Sequence, residues 1–514
     1  VGKIRASHEN LATGKRLRAG VKIKEAASLM GATTEAGAAE FLDKEIKGFS
    51  IDSRSVEPGE LFFALSQADY ERAGFNGHFA DAHQFIPQAF EIGAIAAVAR
   101  LDHVESDAAL QAFQSRLLMV EDAIAALQQL ARKVYEAWAR PVVGITGSAG
   151  KTTAKELTAH LLKAAGRRVL KSERNYNNGL GLPLAVLQMV TNGREPSQFD
   201  IAVLEMGMSS PTHEIQRLCK ITPPDIGVEL LVAPVHLEYL GTIENIAAAK
   251  AELVEGLKPG GTAVLNADDP FVIAMREKHA GPILTFGIEN ESDVMATRID
   301  TTRFGRSSFN LRTPLGEAEA MLPMAGRHNL MNALAASAVA TCLGIKPEEI
   351  ALALRSVKPP QMRGEVIDFA AGFTVVDDSY NSNPRSLLSI VRAIAETEAK
   401  AQRRIVVAGE MLELGPEGER MHREAGREIA GAGINLLWGV RGLGLQLVEG
   451  AREAGMSREA ARFFETSEEA AAALAGELRE GDLVLVKGSR GVQTDKVVRM
   501  LRDRFPVVGG EEVR

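Results

Sequence analysis

The sequence predicts an α/β protein of several domains: a small α/β unit, a central P-loop domain on a mostly parallel sheet, and a C-terminal Rossmann-like domain. Three observations predict it. Short apolar runs of strand length alternate with helical patterns from Leu61–Leu65 to Leu483–Val486, as strand–helix–strand units require. One such run passes directly into a glycine-rich turn and an alanine-containing helix at Pro141-Val-Val-Gly-Ile-Thr-Gly-Ser-Ala-Gly-Lys-Thr-Thr153. The chain has 514 residues, more than one hydrophobic core accommodates, so about two to four domains follow.

Taken in order, the segment Val1 to Gly20 is basic and lacks an apolar stretch, so it does not read as a secretory signal and is expected to be a disordered extension or a misplaced start. A first domain over 21–140 opens with a helical stretch and continues through Gly48-Phe-Ser-Ile-Asp-Ser-Arg-Ser-Val-Glu-Pro-Gly59 to a strand at Leu61–Leu65. A helix near Phe79–Ile92, a strand at Ala94–Ala99 and a helix at Ala123–Trp138 complete it. Pro141 begins the second domain, 141–357, with further strands at Ile201–Leu204, Asp225–Val232 and Gly261–Asn266. A helical block from Arg327 to Leu354 ends at Lys358-Pro-Pro360, a joint into the third domain, 358–514. There, strands at Phe373–Val376, Arg404–Val407 and Leu483–Val486 alternate with helices.

Composition narrows the function. Hydrophobic residues make up 46% of the chain, ordinary for a globular protein, and the net charge of −8 argues against a nucleic-acid surface. Two cysteines, Cys219 and Cys342, provide neither a disulfide framework nor a zinc site and suit small buried positions in a reduced compartment. No apolar run reaches membrane-spanning length, so the expectation is a cytoplasmic protein without membrane insertion, and a monomer.

The glycine-rich turn carries the chemistry. Glycines let successive N–H groups of Gly147, Ser148, Ala149 and Gly150 point at phosphate oxygens, and the helix N-terminus adds its positive end. Lys151 supplies a mobile charge for the β/γ-phosphates, and the Thr152 hydroxyl, followed by Thr153, suits a Mg²⁺ ion. The spacing departs from the standard motif, because Ile145 stands where its first glycine belongs while Gly144 and Gly147 flank it.

Other residues gather at strand ends. Glu205 closes the run Ile201-Ala-Val-Leu-Glu205, where a carboxylate reaches a phosphate-bound ion, and it reads equally as a surface glutamate. His236 follows the next strand as a metal ligand or a hydrogen-bond donor. Lys250 shares a helical stripe with Ile243, Ile246, Leu253 and Leu257, where a free ammonium is costly. The pattern alone favours a lysine that snorkels to a crevice edge; a carbamate formed with CO₂ is the other reading. Asn329 and Asn332 fall on one helix face, suited to an adenine edge or to helix capping. The polar turn Asp377-Asp378-Ser-Tyr-Asn381-Ser-Asn383-Pro384 and the cationic loop Lys487-Gly-Ser-Arg490-Gly491 both follow apolar strands.

Together these residues resemble the Mur ligases of peptidoglycan synthesis, over the chain from about Val21 to its end. The phosphate loop is similar to Thr146-Gly-Ser-Ala-Gly-Lys-Thr-Thr153, and the uridine-nucleotide motif to Asp52-Ser-Arg54 with Pro58-Gly59. Asn175-Tyr-Asn177-Asn178-Gly-Leu-Gly-Leu-Pro183, Asp378-Ser-Tyr-Asn-Ser-Asn-Pro384, Gly409-Glu-Met-Leu-Glu-Leu-Gly415 and Lys487-Gly-Ser-Arg-Gly491 resemble the members that add D-alanyl-D-alanine to UDP-MurNAc-tripeptide. Gln67 to His78 is longer than the family's usual loop, and Ser382 stands where alanine is common. The resemblance implies domains for uridine nucleotide, ATP and dipeptide, with Lys151, His236 and Lys250 catalytic. It implies that Lys250 is the family's carbamylated lysine and that Thr152, Glu205, His236 and Lys250 hold two Mg²⁺ ions. It places Asn329, Asn332, Arg363 and Asp378 near ATP, and Ser53, Arg54, Asn177, Asn178, Asn381, Asn383 and Arg490 at the substrates. Two rivals remain at this point: another amide-forming ligase of the same architecture, against which the Asp52-Ser-Arg54 segment argues, and a P-loop NTPase that drives a partner.

Overall fold

The computed structural model describes residues 20–508, apart from 36–38, 76, 174–175, 209–212, 235–239, 302–304, 359–360 and 397–400. The expected disordered extension therefore lies outside the described residues up to 19, as do His236 and the two prolines of the expected joint.

Among the described residues, four sheets organise the chain. Strands β1 (Val21–Lys22) and β2 (Glu45–Ile46) form a small antiparallel pair. The first parallel sheet runs in sequence order through β3 (Gly48–Ser50), β4 (Glu60–Phe63), β5 (Ala96–Arg100) and β6 (Leu117–Val120). The central sheet contains β7 (Val142–Thr146), β8 (Val169–Lys171), β9 (Ile201–Glu205), β10 (Ile226–Glu229), β11 (Thr262–Asn266), β12 (Ile283–Gly287), β13 (Val294–Asp300), β14 (Ser307–Thr313) and β15 (Gly316–Leu322). Its order is β15-β14-β13-β12-β11-β10-β7-β9-β8, antiparallel only between β13 and β15. The third sheet joins β16 (Glu365–Asp368), β17 (Thr374–Asp378), β18 (Arg403–Gly409), β19 (Leu436–Val440), β20 (Ala461–Phe464) and β21 (Asp482–Lys487) in the order β16-β17-β21-β18-β19-β20.

Two features of this topology position the site. β8 and β9 lie on one side of β7 and β10 to β12 on the other, so a crevice opens at the carboxyl end of β7, where open α/β sheets bind ligands. In the third sheet β17, β21 and β18 are neighbours, so the polar turns after all three lie side by side.

The helices follow the sequence patterns with informative exceptions. Helix α1 (Ala123–Trp138) starts where the Asp122 carboxylate accepts the Ala125 N–H. Its apolar face is too wide for one neighbour: Leu127, Leu130, Ala131 and Val134 share one core with Leu61, Val98 and Leu118 of the first sheet and with Ala202 and Leu204 of the central sheet. A helix that closes the first unit in sequence therefore bonds two units in space. The helical block expected from Arg327 to Leu354 is two helices, α6 (Arg327–Cys342) and a shorter one at Pro347–Arg355. Gly344, at φ +81°, turns the chain out of α6, and Pro347 fits the first turn of the next helix, where its missing N–H costs nothing. The strands β13 to β15, absent from the sequence reading, add an antiparallel edge; β14 alternates buried and half-buried residues as a one-faced strand does. Among the described residues no helix is long and apolar enough to cross a membrane.

Candidate active site

The loop after β7 is shaped by two left-handed glycines, Gly147 at φ +150° and Gly150 at φ +86°. Helix α2 (Lys151–Ala164) starts directly after Gly150, so its free N–H groups face the loop. A side chain at Gly147 would strike Leu230, and a Cβ at Gly150 would lie 2.3 Å from Asn332 Oδ1. Ser148 fixes the loop to the segment after β10: its N–H donates to Leu231 O (2.8 Å), and its hydroxyl donates to Ala233 O (3.0 Å) and accepts from Ala233 N–H (2.9 Å). Lys151 Nζ donates to Gly147 O at 2.7 Å, curled over its own loop. Burial holds this ammonium below the ordinary lysine range, while Glu205, Glu229 and Glu413 pull it up and Arg363 pushes it down. Groups from the central and third sheets thus act on one lysine. Thr152 is half-buried beside it, and Thr153 is buried.

Buried charge surrounds the loop. Glu205, 1% exposed, ends β9 and lies 3.2 Å from Lys155 Nζ. Lys155, one helical turn beyond Lys151 and as buried as Glu205, also donates to Ser172 O at 2.6 Å. On the other side of β7, Glu229 ends β10 with no exposed surface. Burial, chiefly, drives its carboxyl well above the usual range, Asp269 adds to this, and Lys250 and Lys151 oppose it. Lys250, on α5 (Ile243–Glu255), is 2% exposed, and burial with the repulsion of Lys151 brings its ammonium down to about 7, against the pull of Glu229. The snorkelling reading of Lys250 therefore fails: its head is enclosed. Thr146 Oγ1 and both Glu229 oxygens are buried without a hydrogen-bond partner among the described residues, whereas Glu205 Oε1 is met by the Lys155 ammonium. Such hard oxygens fit a Mg²⁺ ion, and leaving them unmet costs free energy.

The third-sheet turns are knitted together at the same end. Lys487 Nζ donates to Asp378 Oδ2 (2.6 Å) and to Asn381 O (2.9 Å), and Ser489 Oγ accepts from Leu412 N–H (2.9 Å). Arg363 stacks on Tyr380, with its guanidinium carbon 3.9 Å from the ring centre. Asn383 caps α7 (Pro384–Ala395) by accepting the Ser386 N–H, and Asn381 Oδ1 accepts the Ser382 N–H, so each amide keeps its NH₂ for a ligand. Arg490 is exposed beside Asp495 and Met362. Between the sheets, Arg385 pairs with Asp269 at 3.2 Å, and His328 of α6 meets Ser389 at 3.2 Å. Burial lowers the His328 imidazole to about 4.

Of the two asparagines on α6, Asn329 donates to Ala325 O at 2.8 Å and lies against Gly364, whereas Asn332 props the phosphate loop at Gly150. In the first sheet, Ser53 is buried, and Arg54 is held by Asp52 through Nε (2.9 Å) and Nη2 (2.7 Å) with its side chain 84% exposed. Neither touches the phosphate loop. Asn178 Oδ1 accepts from Leu180 and Gly181 N–H, and Asn177 O accepts the Gly207 N–H at 2.7 Å, which brings this turn beside the end of β9. The long Gln67–His78 segment reaches the same turn: the Tyr70 and Phe75 rings pack at a tilt of 33° with centroids 4.9 Å apart, and the Phe75 ring packs on Gly179. Asp81, His83 and His103 are grouped closely enough for a metal ion. Because His83 Nε2 accepts the Arg100 N–H (2.9 Å), its Nδ1 carries the proton facing Asp81, and both nitrogens are engaged.

Sequence reasoning missed Lys155, Glu229 and Thr146. Glu229 lay inside a longer apolar strand, and Lys155 had the i+4 spacing from Lys151 as its only signal.

The chain matches the description of the Mur ligase middle domain over residues 145–340 and that of the Mur ligase, glutamate ligase domain over 362–490. It is 32% identical over 456 residues to the UDP-N-acetylmuramoyl-tripeptide–D-alanyl-D-alanine ligase of Bacillus subtilis, covering 89% of this chain and 93% of that one. It is also 32% identical to the ligase of the same name from Escherichia coli, over 90% and 97% of the two chains. Among solved structures, MurF from Acinetobacter baumannii superposes with a TM-score of 0.79 at 28% identity, over 94% of this chain and 99% of that chain. MurF ligase from Thermotoga maritima, in complex with ADP, gives 0.73 at 28% identity, over 89% and 97%.

Proposed function

This chain belongs to the Mur ligase family, and we propose that it joins D-alanyl-D-alanine to a UDP-N-acetylmuramoyl-tripeptide with conversion of ATP to ADP and phosphate. The observation that carries this reading is the junction at the phosphate loop: Asn332 of the central unit packs on Gly150, Asn329 of the same helix lies against Gly364, and Arg385 of the third-sheet unit pairs with Asp269 at 3.2 Å. Such a junction lets a γ-phosphate and a second substrate meet. The reading assigns uridine-nucleotide binding to 21–140, ATP to 141–357 and the dipeptide to 358–514.

The chemistry follows from the substrates. A carboxylate does not acylate an amine in water, so the tripeptide carboxylate first attacks the γ-phosphorus, forming an acyl phosphate and releasing ADP. The dipeptide amine then attacks the acyl carbon, and phosphate leaves from the tetrahedral intermediate. The loop N–H groups and Lys151 neutralise the transferring phosphoryl group. Asn332 keeps the loop in its phosphate-binding shape, and Lys155 orients Glu205. The Asp378–Lys487 pair rigidifies the turn that presents Asn381 and Asn383 to the dipeptide, and exposed Arg490 is suited to its carboxylate.

Mg²⁺ fits the buried oxygens at these strand ends; Thr152 and Glu205 would hold one ion, and His236 and a Lys250 carbamate a second. Bound there, it would supply charge neutralisation at the phosphates. The carbamate forms when the free Lys250 amine attacks CO₂, creating an N–C bond and releasing one proton. Its enclosed position, where an ammonium is held down to about 7, supplies that amine.

The test is ADP release measured with and without each substrate. Release that requires both the UDP-tripeptide and D-alanyl-D-alanine, with the pentapeptide product seen by mass spectrometry, is expected. Steady ADP release with neither substrate would overturn the ligase reading in favour of a phosphate-loop motor.

A further inference from the structure

Thr146 and Glu229 are register partners at the carboxyl ends of β7 and β10. Partners in a parallel ladder project from the same sheet face, so the hydroxyl and the carboxylate stand side by side. Both residues are 0% exposed, and Thr146 Oγ1, Glu229 Oε1 and Glu229 Oε2 all lack a hydrogen-bond partner among the described residues.

The covering helix identifies what faces them. Two residues earlier on the same face are Gly144 and Gly227, where a Cβ would meet Leu253 at 3.0 Å and 3.3 Å. Helix α5 runs back along the sheet, so Lys250, one turn before Leu253, lies over the strand ends where Thr146 and Glu229 sit. By contrast Asp269, also close to Glu229, is saturated: it accepts from Val232, Phe271 and Val272 N–H and from Arg385.

We propose that Glu229, with the Thr146 hydroxyl beside it, is a further ligand set for the divalent cation on the Lys250 side of the site. The proposal rests on the reading of Lys250 as a carbamate. As an ammonium, Lys250 neutralises Glu229. As a carbamate it places a second anion against Glu229 in a dry enclosure, an arrangement that is strongly unfavourable unless a cation enters. Four carboxyl-type oxygens, two from Glu229 and two from the carbamate, and a hydroxyl are hard donors of the kind that Mg²⁺ accepts. Carbamylation and metal binding are therefore coupled through Glu229: CO₂ strengthens the second ion only while this carboxylate is present.

The test uses the full chain with ADP, Mn²⁺ as the spectroscopic probe, and ¹³C-bicarbonate. Electron paramagnetic resonance of wild type should count two bound Mn²⁺ ions, with the carbamate resonance visible by ¹³C NMR. In Glu229→Gln the second ion should bind about 10–100-fold more weakly, and bicarbonate should no longer strengthen it, while the first ion is unchanged. Wild-type affinity for both ions in Glu229→Gln overturns the proposal whatever the NMR shows. No carbamate resonance in wild type, with the second ion still lost in Glu229→Gln, overturns the Lys250 reading and retains Glu229 as a ligand. Thr146→Val is nearly isosteric and uncharged, and reads the same site should Glu229→Gln fail to fold. Several-fold weaker binding of the second ion is expected there, and unchanged binding would overturn the pair.

Discussion

Replacing Gly150 with alanine tests how the phosphate loop is held. The residue sits at φ +86°, and a left-handed backbone costs an L-residue about 1–2 kcal/mol. Its new Cβ would lie 2.3 Å from Asn332 Oδ1, closer than atoms approach, so the amide or the loop must move. Overpacking of this kind costs about 1–3 kcal/mol. Gly150 is half-buried in a loop of a large chain, so the combined strain of about 2–5 kcal/mol should appear as a displaced loop rather than as unfolding. At 1.4 kcal/mol per decade, ADP binding weakens by about 30-fold to about 4,000-fold. Calorimetric titration of ADP into a variant with wild-type thermal unfolding measures it. Adding Asn332→Ala removes the clash but not the backbone strain, so the double variant should recover about 5-fold to about 150-fold, a non-additivity that marks direct contact. Gly150→Ala binding ADP within about three-fold of wild type would refute the loop as the phosphate site. Loss in Gly150→Ala with no recovery in the double variant would refute Asn332 as its prop.

Lys151→Ala should abolish ADP release while leaving the melting profile close to wild type, because among the described residues its ammonium hydrogen-bonds to a loop carbonyl and to no other group; normal ADP release by the folded variant would remove the lysine from the chemistry. Lys487→Met leaves the buried Asp378 carboxylate without its partner and should destabilise the third-sheet unit by about 3–5 kcal/mol in urea unfolding, with Asp378→Asn in the same chain restoring much of it. His328 contributes a pH dependence whose sign is fixed by burial: its folded value near 4 lies below the unfolded value of about 6.5, so the unfolded chain binds the extra proton. Its stabilisation is complete above about pH 6.5 and is lost as pH falls toward 4. Asp377, raised by burial to about 6, acts in the opposite sense over an overlapping window, so the wild-type profile mixes the two. Thermal unfolding of His328→Gln against wild type isolates the histidine: the difference should grow steadily between pH 4 and about pH 6.5, and a pH-independent difference would contradict the assignment.

What the sequence determined by itself is whatever consecutive residues must satisfy locally. The glycines at 147 and 150 announced a left-handed turn, the apolar run before them a buried strand, and the lysine and threonines after them a helix start that binds anions. Helix Ala123–Trp138 was legible to the residue, because its apolar spacing and the Asp122 cap act within a few turns. The anomaly at Lys250 was legible for the same reason, as a cation on an apolar stripe, but the pattern favoured a snorkelling head and only the tertiary structure showed it enclosed. The break between α6 and Pro347 was written locally too, in Gly344 and Pro347, and was overlooked beneath a continuous apolar period. Tertiary structure alone decided the rest. Thr146 and Glu229 stand 83 residues apart and meet only through the register of β7 against β10. Asn332 reaches Gly150 only because α6 packs along α2, and α1 proved to belong to two sheets because its stripe is wide enough for both. The physical reason is one of range. Backbone conformation, capping and amphipathic period are set by neighbours within a few residues. A buried charge is either orphaned or paired according to strand order, and strand order depends on the whole chain's search for a closed core.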